Sequence, residues 1–313
     1  MTAKSIIIDC DPGKDDAIAL FLAMASEDEL DILGITTVAG NVSLELTQKN
    51  ARFLCEIAGR PDLPVFAGAS SPLKLPLVTA EHVHGKSGLE GIEVVEPKMP
   101  EQTRGAQQFF IDTLSMAVEQ SITLVATGPL TNIALLVSKH PELLTKIKQI
   151  IIMGGARLEG GNFSPSAEFN MVVDPHAAKI VLNCGLPLVV MGLDVTHQVR
   201  ANKARREQIK NIDNKVARAA SALLDYSHMQ NNKRYAELGA AIHDPCTIAY
   251  LIKPSLFQGV ECNISIETDS PLTLGHTAVD YWGVTDKPAN ALWIDLADAD
   301  GFFQLLNERL ERF

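Results

Sequence analysis

Three features of the 313-residue chain predict an α/β fold with a mostly parallel central sheet flanked by helices. Short Ile/Val-rich runs alternate with stretches of helical spacing, the order that builds a sheet covered on both faces. The runs carry little polar alternation, as expected of strands buried on both sides. Polar residues gather just after their carboxyl ends, where open α/β sheets bind ligands.

Taken in order, Ser5–Asp9 is the first strand, with three isoleucines running into an aspartate. Apolar residues at three- and four-residue spacing then predict a helix over Asp15–Ala25. Ile32–Val38, Ile122–Ala126, Gln149–Met153 and Leu188–Gly192 are the following buried strands. Leu44–Ala58, Gly105–Glu119, Leu130–His140 and Pro175–Asn183 are the helices between them. A long helical region is expected from about Asn202 to Glu237, and a short helix over Cys246–Leu251. Gly259–Thr268 and Ala291–Asp295 are late strands that either extend the sheet or form a small flanking layer. No repeat, low-complexity tract or Pro/Ser linker divides the chain, so residues 1–313 are expected to form one domain.

Composition removes several classes of function. Hydrophobic residues make up 46%, enough for a full core. Lys+Arg is 27 and Asp+Glu is 38, a net charge of −11 that suits neither a phosphate backbone nor any other nucleic-acid surface. No apolar stretch approaches the ~20 residues of a membrane span. The N-terminus reads as a strand rather than a signal peptide. Five scattered cysteines, without a Cys-x-x-Cys pair, point to a reduced, cytoplasmic chain.

The chemistry concentrates after the first strand, in Asp9-Cys10-Asp11-Pro12-Gly13-Lys14-Asp15-Asp16. Side chains alternate along a strand, so Asp9 and Asp11 share a face. A helix cap accounts for one of Asp15 and Asp16. It does not account for the aspartates that end an apolar strand. Four carboxylates this close repel one another unless a cation or protons intervene, and oxygen ligands favour Ca²⁺ or Mg²⁺ over Zn²⁺. Other strand ends carry Asn41, Thr127, and the stretch with Asn162, Glu168 and Asn170. His84 lies in a glycine-rich loop, and His243 precedes Asp244 and Pro245 at a helix start.

The opening run Asp9–Ala17 resembles the signature of the inosine–uridine-preferring nucleoside hydrolases. Ala39-Gly40-Asn41, Val83-His84-Gly85, Gly128-Pro129-Leu130-Thr131-Asn132, Met153-Gly154-Gly155, Ala167-Glu168-Phe169-Asn170 and His243-Asp244-Pro245 follow in the family's order, so the likeness runs from Ser5 to about Asp295. Lys14 falls where some members carry His or Leu. The resemblance implies a Rossmann-like nucleoside hydrolase fold and one Ca²⁺ held by Asp11, Asp16, the Thr127 carbonyl and Asp244. It implies that Asp15, Asn41, Asn162, Glu168 and Asn170 bind ribose, that His84 and His243 face the base, and that the chain forms a homo-oligomer, a dimer or tetramer.

Cleaving an N-glycosidic bond with water passes through an oxocarbenium-like sugar. Ca²⁺ is a weak acid, so a carboxylate base is still needed, and Asp11 is expected to be that base. Tyr235 lies eight residues before His243. Similar hydrolases that favour uridine and cytidine pair a Tyr with a His, so a pyrimidine preference is expected, with His243 giving a proton near neutral pH. Two rival readings fit the residues less well. Haloacid-dehalogenase-type phosphatases also end a first strand in Asp-x-Asp, but Gly13 stands where their Thr or Val belongs. A non-catalytic Ca²⁺- or nucleoside-binding protein would not need a complete set of candidate base and ligands.

Overall fold

The protein's structure, a computed structural model, describes residues 3–230 and 238–313. The first half contains β1 (Lys4–Cys10), α1 (Lys14–Met24), β2 (Leu30–Thr37), α2 (Leu44–Ile57), β3 (Val65–Ala67), α3 (Glu81–His84), α4 (Ala106–Met116), β4 (Ile122–Ala126), α5 (Thr131–Lys139) and β5 (Ile147–Met153). The second half contains α6 (Phe169–Val173), α7 (Pro175–Leu182), β6 (Leu188–Met191), α8 (Leu193–Thr196), β7 (Arg200–Ala201), α9 (Lys203–Lys210), α10 (Lys215–Gln230) and β8 (Ala240–Ala241). It closes with α11 (Pro245–Ile252), β9 (Phe257–Ile266), β10 (Thr277–Asp280), β11 (Ala291–Ala297) and α12 (Ala299–Leu310).

The main sheet has nine strands in the order β10-β9-β11-β6-β5-β4-β1-β2-β3. From β3 to β11 every neighbouring pair is parallel, and β9 pairs antiparallel with β11 and β10. The late strands therefore extend the sheet rather than form a separate layer. The run β3-β2-β1-β4-β5-β6 reverses direction between β1 and β4, the point where the connections turn to opposite faces and open a crevice.

The alternation of β1 divides the core. Ile6, Ile8 and Cys10 join one apolar cluster with α1, α11 and α12, and Ile7 joins the other with α4, α5 and α7. Helix α1 is buried on nearly every face, as its almost unbroken apolar run from Ala17 requires.

Several elements depart from the sequence reading. The long helical region expected from Asn202 holds two helices among its described residues, α9 and α10. The Asn202 side chain caps α9, which stops at Asn211, and Asn214 restarts the chain by accepting from Ala217 N–H at 2.8 Å. The stretch predicted to reach Glu119 ends at Met116, because Ala117 turns extended and Gln120 takes a φ of 51°. The edge strands β3 and β10 were not foreseen, being 3 and 4 residues long and too short for a period to show.

One buried amide ties the centre of the sheet together. Asn132 donates to Asp9 Oδ1 at 2.8 Å and to the Thr37 carbonyl at 3.0 Å, and accepts from Ala69 N–H at 2.8 Å. Asp9 also accepts from the Thr36 hydroxyl. Removing the amide takes away three hydrogen bonds at once and leaves the Ala69 N–H without this partner, while Asp9 Oδ1 keeps the Thr36 hydroxyl and the Thr37 carbonyl keeps the Gly68 N–H. Asn132→Ala is expected to lower unfolding free energy by about 3 kcal/mol, read by urea denaturation; a loss below about 1 kcal/mol would refute the tie.

Candidate active site

The crevice between β1 and β4 opens into a cavity of about 480 Å³, a size suited to a small molecule. Beneath it lie carboxylates removed from water. Asp11 is 0% exposed, Asp16 1% and Asp244 5%. Burial raises all three, Asp16 against the pull of its hydrogen bonds, and with mutual repulsion added it lifts Asp11 and Asp244 well above the usual carboxylate range.

Each carboxylate is placed by its own element. Asp11 follows the last residue of β1. Its Oδ2 accepts from Asn41 N–H at 2.7 Å, while its buried Oδ1 has no hydrogen-bond partner among the described residues. Asp16 sits in the first turn of α1, where its Oδ2 accepts from Gly13 N–H at 3.0 Å, the back-bond of a helix start. Its Oδ1 accepts from the Thr127 hydroxyl at 2.7 Å, so a capping residue also serves the cluster. Asp244 precedes α11 without capping it, and its side chain instead hydrogen-bonds Asp16. Two glycines make the room. A Cβ on Gly40 would stand 2.1 Å from Asp11 Oδ2, and one on Gly128 would stand 2.6 Å from Asp11 Oδ1.

The structure gathers most of the other predicted residues around the same space. Asp15 lines the cavity and accepts from His243 N–H at 3.3 Å, and burial pushes its carboxyl up to about 6. Asn41 lines it too, and its amide donates to the Asp11 carbonyl at 3.0 Å. Thr127 presents its carbonyl there, accepting from the Asn170 amide at 2.8 Å. Asn162 accepts from Phe169 N–H at 2.9 Å, which closes the loop before α6. Glu168 caps α6 and receives N–H bonds from Gly155, Asn170 and Met171. These bonds pull its carboxyl down, but burial dominates and raises it to about 7.

His84 and His243 stand in the wall of the cavity. Desolvation lowers each imidazole to about 3, so both rings are neutral at pH 7. His243 Nδ1 pairs with the Thr196 hydroxyl at 2.8 Å. Burial thus leaves His243 a neutral, oriented ring, where the sequence reading has it giving a proton near neutral pH. Tyr235 lies outside the described residues. Asp9, grouped by sequence with Asp11, serves the sheet through Asn132 and Thr36 instead. Asp194, at another strand end, holds a loop by accepting from Arg157 and Leu158 N–H.

Sequence reasoning missed Lys14, Glu159 and His197, all of which line the cavity. His197 pairs with Glu159 at 2.8 Å, and its ring centroid is 5.7 Å from that of His243. His197 stands at the end of the short helix α8 that follows β6, a place no local motif marks. For Lys14 the signal was a charge inside a segment otherwise destined for the core. Among the described residues no three or more Asp, Glu, His or Cys side chains form a metal-holding group, and no helix is long and apolar enough to cross a membrane.

A doubly wound sheet with buried carboxylates at its switch point marks an α/β enzyme acting on a small polar substrate. The chain belongs to the inosine-uridine preferring nucleoside hydrolase family, whose profile matches residues 6–304, and it is accordingly a hydrolase of ribonucleoside N-glycosyl bonds. The pyrimidine-specific ribonucleoside hydrolase RihA of Salmonella paratyphi B is 45% identical over 312 residues, covering 99% of each chain. The solved plant nucleoside hydrolase PpNRh1 is 33% identical with a TM-score of 0.92 and covers 99% of each chain. A purine-preferring ribonucleoside hydrolase from Gardnerella vaginalis is 28% identical with a TM-score of 0.90 and covers 98% of each chain.

The raised Glu168 carboxyl has a consequence for pH. In the unfolded chain it loses its proton near 4.5 and in the folded chain near 7, so the unfolded state binds fewer protons between these values. The folded state therefore loses stability as pH rises through that window. Compared with Glu168→Gln, the wild type is expected to lose on the order of 1–3 kcal/mol more unfolding free energy from pH 4.5 to 7.5. Parallel pH profiles from urea melts would refute it.

Proposed function

We propose that the protein hydrolyses uridine and cytidine in preference to purine ribonucleosides, using Asp11 as general base beside a bound Ca²⁺. The observation that carries the reading is Asp11 itself: a fully buried carboxylate at the switch point, with Oδ2 fixed by Asn41 and Oδ1 left to accept a proton. The pyrimidine preference draws support from the likeness to RihA.

The donors fit a hard cation in their chemistry. Asp11, Asp16, Asp244 and the Thr127 carbonyl offer only oxygen, and the mutual repulsion that raises Asp11 and Asp244 is what a divalent charge relieves. The fit rests on donor type and burial, since the side chains do not by themselves close a metal-holding group among the described residues. Bound there, Ca²⁺ would supply charge and an anchor for water and ribose hydroxyls.

The chain's own residues carry the rest. Asp11 Oδ1 takes a proton from the attacking water. The C–N bond breaks as a C–O bond forms, the electron pair leaves with the base, the base takes a proton from solvent, and Asp11 returns its own proton to solvent, giving ribose and free base. Asp15 and Asn41 hold ribose hydroxyls from one side, and Asn162, Glu168 and Asn170 from the other. The surrounding carboxylates favour the positive charge of the oxocarbenium-like sugar. His243 and His84 face the base as neutral rings, and Tyr235 joins them only as the family resemblance implies. Residues 1–313 act as one domain, in a cytoplasmic homo-oligomer.

The first test is a ribonucleoside panel assayed for reducing sugar and free base. Uridine is expected to exceed inosine in kcat/KM. The reverse order would end the pyrimidine preference, and phosphate release from phosphomonoesters in place of ribose release would end the reaction assignment. In the same assay Asp11→Asn is expected to lose at least about 10²–10⁴-fold in turnover. Asp31→Asn, at an exposed position, should remain near wild type, and equal losses would mean that the base is misplaced.

Metal dependence is checked separately. Prolonged exposure to a strong chelator is expected to lower both turnover and Tm, because a ligand bound only to the folded state stabilises it. Unchanged turnover and Tm in protein proved metal-free by elemental analysis would exclude the cation.

A further inference from the structure

Lys14 occupies a place where a charge is costly. It is 3% exposed, at the first turn of a helix otherwise buried in the core. Its Nζ donates to the Val83 carbonyl at 2.7 Å and sits 4.8 Å from the centroid of the Tyr226 ring on α10. Its backbone N–H donates to His84 Nδ1 at 3.2 Å. Side chain and main chain thus grip two successive residues of α3.

That grip matters because α3 cannot hold itself. It is four residues long, and none of them is buried. A single turn has little cooperative stability. Gly85 ends it with a φ of 82°, and the chain leaves it towards a Glu90 N–H that reaches back to the His84 carbonyl at 3.3 Å. Charge-assisted hydrogen bonds are the stronger kind, and a cation over a ring face adds attraction.

We propose that Lys14 is a positioning residue that holds the Glu81–His84 turn against α10 and fixes His84 with its proton on Nε2, so that the ring presents a hydrogen-bond donor to a carbonyl oxygen of the base. The tautomer follows from the donor: an N–H given to Nδ1 leaves the ring proton on Nε2. The low basicity of His84 agrees, since the ring stays neutral. This deepens the proposed function and rests on that reading for the identity of the ligand.

The test compares wild type, Lys14→Met and Tyr226→Leu. Lys14→Met keeps most of the stem and removes the ammonium. Tyr226→Leu removes the ring beneath it and serves if the first variant does not fold. With uridine as probe, Lys14→Met is expected to raise KM at least tenfold while kcat changes less than threefold, and Tyr226→Leu to shift KM in the same direction by less. In ¹⁵N-correlated spectra of the histidine rings, the His84 signature is expected to move from a single Nε2–H form to a mixture. Wild-type KM and an unchanged His84 signature in either folded variant would overturn the proposal. So would a fall in kcat at constant KM, which would make Lys14 part of the chemical step. The spectra need no substrate. If the wild type released no base from any nucleoside, the functional reading would fail, while the His84 signature would still decide the role of Lys14.

Discussion

The local architecture of the crevice follows from keeping Asp11, Asp16 and Asp244 together out of water. Charges so placed are tolerated only where donors, protons or a cation offset them. The sequence supplies donors beside space. Gly40 leaves room for Asp11 Oδ2, and the next residue, Asn41, gives that oxygen its N–H. Gly128 leaves room for Oδ1, and the preceding Thr127 gives its hydroxyl to Asp16. A methyl group at either glycine would press on the carboxylate it now admits. The pairing of a glycine with a donor at the ends of two strands is therefore one device used twice.

The sheet separates what it needs for itself from what it offers the site. Asp9 and Asp11 are two residues apart, yet Asp9 is spent on Thr36 and Asn132 within the sheet, and Asp11 reaches the loops above it. The division arises from strand order. β1 lies between β2 and β4, so a side chain within the strand meets partners on both neighbours. One residue past its end meets only the turns that diverge from the crevice. The same order brings Thr127 from β4 and Asn41 from the end of β2 to the two sides of Asp11.

Much of this was legible in the residues. Alternation of buried runs and helical spacing predicted the sheet, and its strand-end residues converge on one cavity because parallel strands point the same way. What could not be read were features set by distant partners. The break near Asn211 depends on side-chain caps at Asn202 and Asn214 within a stretch whose apolar spacing continues through it. Asp244 stands at the start of α11 without capping it, because Asp16, more than two hundred residues earlier in the chain, takes its side chain. The neutrality of His243 depends on burial, which no local motif encodes. Lys14 carried a signal that local reading discounts: a cation in an apolar helix needs a partner, and the partner is a carbonyl from another segment.

The two ends of the cavity are built differently, and this bears on how relatives diverge. The carboxylate end rests on β1, β4 and the first turn of α1, where Asp11, Asp16 and Thr127 are nearly fully buried. Substitution there meets packed neighbours on every side. The histidine end is made of a one-turn helix, the two-residue strands β7 and β8, and the end of α10. Apart from the buried Ala201 and Ala240, its residues are exposed or half-buried, and it packs outside the main sheet. A pyrimidine-specific relative at 45% identity and a purine-preferring structure with a TM-score of 0.90 both accord with that division. The proposed reading sets the sugar against the carboxylates of the sheet and leaves the choice of base to the loops.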